Sequence, residues 1–398
     1  MPNPTLAADI DEIQPGLVAD RRHLHQHPEL GFQEFKTAKF VRQRLEALGV
    51  ADIHTGIAIT GVTGVIEGTA PGTGGNVLLR ADMDALPIHE DSGADYASQA
   101  DGVMHACGHD AHTAILLGAA RILMARRDQF SGKVTLCFQP AEEMPPGGGI
   151  RMIEAGVLEG VDAAFALHVS SSLPTGDVAI APGGVMAGGD LFRIIIQGKG
   201  GHAAEPHESA DPVVAAAAVI TALQSIVSRN IDPMDRAVVS VCTFAAGEAF
   251  NVIPDTAEIG GTFRYFRHET GEQTAKRIGE ISRDVAGGLG CEARVEIMPG
   301  YPPTVNDDAM AALCRDALVD AFGEVAVQVS EPVMGGEDFS HMLRRVPGAY
   351  FHVGCYTERD GVNYGHHHPR FDIDEDSLAI GVQALASTAL LWLDKNRT

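Results

Sequence analysis

Five short segments of the 398-residue chain concentrate side chains that bind metal ions or move protons. They are Ala81-Asp82-Met83-Asp84, His105 to His112 (HACGHDAH), Gln139 to Glu143 (QPAEE), Leu167-His168-Val169 and His366-His367-His368-Pro369. Cys107 and His109 offer a thiolate and an imidazole, and Asp82 and Glu143 offer hard oxygens. That mixed set suits Zn²⁺, Mn²⁺, Co²⁺ or Ni²⁺ and does not suit Ca²⁺ or Mg²⁺. Neighbouring carboxylates on an irregular turn point in different directions. One member of the Glu142-Glu143 pair can therefore bind metal while the other takes a proton from an acidified water.

Each segment alone has a plainer reading. HACGHDAH can be a helix start with Asp110 as its N-terminal acid. A Glu-Glu pair is ordinarily solvated surface, His168 in an apolar run is ordinarily a core histidine, and three adjacent histidines can be a surface tract. Their joint placement carries the argument. Asp82, Glu143 and His168 each come just after a strand-like run, and ligand crevices of open α/β sheets lie outside the carboxyl ends of strands.

The elements that position these residues alternate in type. Helices are predicted over Gly16 to His27 and Glu34 to Leu48, the second closed by Gly49. Strands are predicted over Asn76 to Ala81, Lys133 to Phe138 and Ala163 to Leu167, with an apolar-periodic helix over Ala111 to Arg126. This is an α/β pattern with a mainly parallel sheet. It breaks near Pro182. Strand Asp190 to Gln197, helix Asp211 to Ser228, strands Ala237 to Phe244 and Thr256 to Phe266, helix Glu269 to Val285 and strand Glu292 to Ile297 follow. That order is β-α-β-β-α-β, the ferredoxin-like arrangement. Helix Asp308 to Phe322, strand Ala349 to Gly354 and a helix from Glu375 then resume the first pattern. The expected organisation is a two-domain α/β protein. Residues 1–186 and 299–398 form a discontinuous catalytic domain, and residues 187–298 form an inserted α+β lid.

Composition excludes several classes. Acids outnumber bases 53 to 29, so a formal charge of -24 argues against nucleic acid and anionic membranes as partners. Six cysteines with no C-x-x-C pair make neither a disulfide framework nor a zinc ribbon. The N-terminal MPNPTLAADIDEIQPG has no apolar core of a signal peptide. The longest apolar stretch, Val213 to Leu223, is about half of what spans a bilayer. A cytoplasmic location is expected.

The motifs occur together in a known order. Arg21 to Glu34 (RRHLHQHPELGFQE), Arg80 to Pro87 (RADMDALP), HACGHDAH, QPAEE, Gly198 to Pro212, Phe250 to Arg264, Gly335 to Ser340 (GGEDFS) and His367 to Glu375 (HHPRFDIDE) cover nearly the whole chain. The sequence resembles the amidohydrolase branch of the aminoacylase/carboxypeptidase metallopeptidases, which includes hippurate hydrolases, N-acyl-amino-acid amidohydrolases and auxin-conjugate hydrolases. The resemblance implies two divalent ions per subunit, of zinc, manganese, cobalt or nickel, held by Cys107, His109, Glu143, His168 and His367. It chooses His367 over His366 and His368 because His367 lies two residues before Pro369. Asp82 and Asp84 stand where carboxypeptidase relatives carry a histidine-x-aspartate pair, so Cys107 is the substitute ligand and Asp84 orients a ligand from behind. Glu142 is the implied general base and acid, and His202 and Asn251 the implied oxyanion donors. Arg264 is either a clamp for the substrate carboxylate or an ion pair within the lid sheet. The lid is expected to form a homodimer or homotetramer.

The implied reaction is hydrolysis of N-acyl amino acids such as hippurate to a carboxylic acid and a free amino acid. Three rivals stand beside it. A dipeptidase or carboxypeptidase would use the same two-metal site. A cysteine hydrolase with Cys107 as nucleophile leaves Glu143 and His367 idle. A non-catalytic binding protein on this fold is expected to have lost Glu142 or a ligand, and all are present.

Overall fold

Unbroken apolar runs such as Val77-Leu78-Leu79 and Ala163 to Leu167 form strands buried on both faces, the signature of a sheet covered by helices on each side. The computed structural model describes residues 4–359 and 361–398. Its large sheet has eight strands in the order Ala51–Ile57, Gly61–Glu67, Lys133–Gln139, Asn76–Asp82, Ala163–Ser170, Gly348–Gly354, Val178–Ile180 and Val327–Val329. The four central strands, from 133 to 354 in that order, are mutually parallel. Antiparallel pairings occur at 51–57 with 61–67, 61–67 with 133–139, and 348–354 with 178–180. Register pairs Asp82 with Gln139 and His168 with His352, so the central strands end at one level.

Helices Pro4–Gln26, His109–Ala125 and Asp376–Lys395 pack against one another. Their approach is close. A Cβ on Gly118 would come within 2.6 Å of both Leu17 and Val382, so only glycine fits that crossing. Asp376–Lys395 is long and apolar enough to cross a membrane by length and composition. Here Leu378, Val382, Leu385, Ala389 and Trp392 are buried in the core.

The first helix is longer than the Gly16 to His27 span read from sequence. It runs from Pro4 through Pro15 to Gln26. Leu6, Ile10, Ile13, Leu17 and Leu24 recur on one face and are all buried, and that packing outweighs the lost backbone hydrogen bond. The Ala-rich helix is also shorter than expected. Asp211 caps Pro212–Leu223 by accepting from Val213 N at 2.8 Å, and a single wide turn over Ile226–Asn230 follows.

Contact density divides the chain into two units. One contains the residues up to Val185 with Val305–Glu331 and Asp338–Thr398. The other contains Met186–Thr304 and Pro332–Glu337. The second unit is a four-stranded antiparallel sheet in the order Ala237–Ala246, Thr256–Tyr265, Gly188–Gln197, Glu292–Tyr301. Phe192, Ile194 and Ile196 alternate inward and bury against helices Pro212–Leu223 and His268–Gly288. Its edges differ from the sequence boundaries of 187–298. Strand Glu292–Tyr301 runs on through Pro299, and Val333 bridges Met186 and accepts from Ala187 N at 3.0 Å, which joins both segments to this unit.

The N-terminal helix brings a fully buried guanidinium to the first unit. Arg21 reaches Asp110 at 2.8 Å, Asp372 at 3.1 Å and Glu375 at 3.4 Å. His25 Nδ1 shares Asp110 Oδ2 at 2.8 Å, and its Nε2 lies 3.3 Å from Glu90. Burial and Arg21 would lower the His25 pKa, but Asp110 and Glu90 outweigh them and raise it. Such a group stabilises the fold below its unfolded value of 6.5, and that stability is lost as pH rises through the higher folded value. The unfolding free energy of the wild type should therefore exceed that of His25→Gln by more at about pH 6 than at about pH 9 in urea titrations. A constant difference would contradict this account.

Candidate metal centre

The HACGHDAH segment is held at the sheet end by a glycine. Gly108 has φ +88°, and a Cβ there would lie 2.4 Å from Val169 Cγ2. It starts the helix so that Cys107 precedes it and His109 enters its first turn. His109 Nδ1 donates to Asp84 O at 2.9 Å and lies 3.3 Å from Asp84 Oδ1. That fixes the tautomer, leaving Nε2 as the free lone pair. The buried Nε2 has no hydrogen-bond partner among the described residues. His168 is prepared in the same way. Its Nδ1 donates to Val169 O at 2.6 Å, and its Nε2 faces Cys107 Sγ at 3.4 Å. His112 differs, because its Nδ1 donates to Asp82 Oδ1 at 2.6 Å and its Nε2 accepts from Val169 N at 2.9 Å.

The Gln139–Glu143 turn is pinned by two carboxylates from other segments. Ala141 N donates to Glu34 Oε1 at 2.8 Å, Glu142 N to Asp84 Oδ1 at 2.9 Å and Glu143 N to Asp84 Oδ2 at 3.0 Å. Ala141 itself has φ +51°, unusual for a residue with a side chain. Glu34 also accepts from Thr60 Oγ1 at 2.5 Å, and burial pushes its carboxyl up to about 7.

Four groups of donor atoms result among the described residues, each with all members within 4.8 Å: Cys107, His109 and Glu143; Cys107, His168 and His366; His109, His112 and His168; and Glu142 with Glu337 and Asp338. Cys107 belongs to the first two. His367, the histidine chosen from sequence, turns through φ +65° and places Nε2 3.0 Å from Glu143 Oε1. His366, which that choice set aside, also comes in, although its Nε2 already accepts from Ser171 N at 3.2 Å. His368 stacks on Tyr364 at 4.6 Å instead. Nothing in the spacing of three adjacent histidines distinguishes these fates, since the left-handed turn at His367 decides them.

The electrostatics fit a divalent cation. Hydrogen bonds to Cys107 and Glu143 push His367 up to about 10. Burial pushes the Cys107 thiol up. A thiol, imidazoles and a carboxylate in one part-buried cluster suit borderline metals such as zinc. Asp82, read as a possible donor, is engaged on both oxygens by His112 and by Arg80 Nη1 at 2.7 Å. Burial would raise its pKa, but His109, Arg80 and His112 hold it well below the usual carboxylate range.

Several supporting residues escaped the sequence reading of the site. Arg80 is fully buried and reaches Gln139 at 3.0 Å and Asp338 at 2.9 Å as well as Asp82. Asp338 in turn accepts from Gln139 Nε2 at 2.6 Å and Gly149 N at 2.8 Å. The available signal was an arginine inside an otherwise apolar strand, Val77 to Ala81. Arg21, His25 and Glu34 lie in the Arg21 to Glu34 motif, but nothing in their spacing assigned them a role.

In the second unit His202 and Asn251 are neighbours, with Ala203 N donating to Asn251 O at 3.1 Å and strand Gly201–His202 paired to Val252–Ile253. Both are exposed. His202 Nδ1 accepts from Ala204 N at 3.0 Å, so its Nε2 carries the proton and faces outward as a donor. Arg264 hydrogen-bonds to Thr262 and to Phe263 O and makes no ion pair with the described residues, so the intrasheet ion pair is not what it forms.

Comparison with known proteins agrees with this chemistry. The profile of peptidase family M20/M25/M40 matches residues 78–391. The chain is 40% identical over 394 residues to thermostable carboxypeptidase 1 of Saccharolobus solfataricus, covering 98% of both. It is 43% identical over 382 residues to IAA-amino acid hydrolase ILR1-like 4 of Arabidopsis thaliana, covering 95% of this chain and 86% of that one. It is 40% identical over 388 residues to N-acetyl-L-cysteine deacetylase of Bacillus subtilis, covering 98% and 91%. The solved Bacillus subtilis YXEP protein, a dinuclear metal binding peptidase, superposes with a TM-score of 0.85 at 36% identity, covering 96% of this chain and 99% of that one. Donor triads at the strand ends and relatives of this kind give one answer: the chain belongs to peptidase family M20/M25/M40 and is a metal-dependent amidohydrolase.

Proposed function

We propose that the protein hydrolyses the amide bond of N-acyl amino acids, giving a carboxylic acid and a free amino acid. The observation that carries this reading is the pair of donor triads sharing Cys107, with Glu142 beside Glu143 on one pinned turn. Two divalent ions held by Cys107, His109, Glu143, His168 and His367 would supply Lewis-acid polarisation and an acidified water. Asp84 orients His109 through Nδ1 and fixes the backbone of Glu142 and Glu143. Glu142 takes a proton from the attacking water and returns it to the leaving amine. His202, through Nε2–H, and Asn251 donate to the developing oxyanion, and Arg264 pairs with the carboxylate of the amino-acid portion.

A carboxypeptidase or dipeptidase is the second reading, favoured by the Saccharolobus relative. Hydrolysis of a panel of N-acetyl, N-benzoyl and indole-acetyl amino acids against dipeptides and longer peptides, after loading with Zn²⁺, Mn²⁺, Co²⁺ or Ni²⁺, separates the two. Faster cleavage of acyl amino acids is expected, and turnover of peptides alone would overturn the first reading. Glu142→Gln should keep its metal and lose activity by about a thousandfold. Near-normal turnover in the loaded variant would remove Glu142 from this role.

Metal loading should also release protons. The Cys107 thiol and His367 both hold one near neutral pH, and ligands must lose theirs to bind. Titrating metal-stripped protein with Zn²⁺ in a weakly buffered dye solution should report this release, and Cys107→Ser should release less and bind more weakly. Equal release and affinity would exclude the sulfur as a ligand.

The second unit is proposed to form a dimer. Ala237–Ala246 is the outer strand of its sheet, largely exposed, with Phe244 at 47%. Such an edge invites pairing with a second copy. Light scattering should give twice the 42.0 kDa chain mass, and Phe244→Glu should shift it toward one. A wild type that stays monomeric at high concentration would rule this out.

A further inference from the structure

We infer that Glu34 is a positioning residue for the centre, holding the turn from which Glu142 and Glu143 project. The inference rests on the roles proposed above for those two residues. Three consecutive amides, at Ala141, Glu142 and Glu143, are each held by a carboxylate oxygen. Asp84 takes the last two, and it also receives His109, so it belongs to the centre by direct contact. The first amide belongs to Glu34, the last residue of the Arg21 to Glu34 motif, which arrives from the start of the second helix.

The left-handed backbone of Ala141 makes that one hydrogen bond consequential. A residue with a Cβ disfavours φ +51° and stays there only when its surroundings fix it. Glu34 Oε1 accepts the Ala141 N–H from below, and Gly148 N donates to Ala141 O at 3.0 Å from the other side. With the Glu34 bond gone, Ala141 is free to relax toward negative φ. The next two residues would rotate with it, moving the Glu143 oxygen relative to Cys107 and His109. Thr60 aims the clamp, since its hydroxyl donates to Oε2 and leaves Oε1 toward Ala141. The carboxylate is fully buried, and its hydrogen bonds go to Thr60 and to the turn at Ala141.

The test uses the full chain, stripped and reloaded with Co²⁺, whose visible spectrum reports ligand geometry without any turnover. Glu34→Ala should shift that spectrum, weaken Co²⁺ affinity by about 10- to 100-fold in a chelator competition, and reduce kcat more than it raises KM. Glu34→Gln retains a carbonyl oxygen to accept from Ala141 and should recover most of the loss. If Glu34→Ala does not fold, Glu34→Asp withdraws the carboxylate by one methylene and is read in the same way. A wild-type spectrum and affinity in the shortened variants would overturn the inference while leaving the proposed function intact. A wild type that binds Co²⁺ normally yet cleaves no acyl amino acid would overturn the function, and the spectra would still decide the role of Glu34.

Discussion

The centre depends on a guanidinium buried where no water reaches it. Arg80 projects from a central strand and is met by Asp82 of its own strand, Gln139 of the neighbouring strand and Asp338 from far along the chain. Desolvating that cation costs several kcal/mol, recovered only if every partner is in place. The arrangement is therefore close to all-or-none. It joins the strand end before Asp84 to the strand end before Glu142, and to Asp338, which also anchors Gly149 just beyond the Glu142-Glu143 turn. The spacing between Asp84 and the turn it clamps is set by this ion cluster more than by the loops.

A second buried guanidinium works on the opposite side of the cluster. Arg21 ties Asp110, next to His109, to Asp372 and Glu375, which follow the histidine triplet. The donor side chains sit on short irregular segments, and such segments are positioned only as well as their anchors. Here the anchors are charges held between strands and helices whose own packing leaves little freedom.

Much of this was legible in the chain of residues. The alternation of strand and helix, the inserted β-α-β-β-α-β unit and the metal-capable segments could all be read, because each depends on local periodicity or on residue type. Three kinds of feature could not. Partnerships across the chain, such as Arg21 with Asp372, leave no local trace. Backbone states such as the left-handed turns at Ala141 and His367 occur in residues that rarely adopt them, so His366 and His367 could not be told apart by side chain. The turns of the first helix before Gly16 were not read as helix, while Leu6, Ile10 and Ile13, buried on one face, carry it back to Pro4.

Under the proposed ligand set, the sharing of Cys107 between two of the triads would give the centre one point of failure. Two independent ligand sets would lose one ion at a time. With a common sulfur, oxidation of the thiol to sulfenic acid would withdraw the same donor from both sets at once.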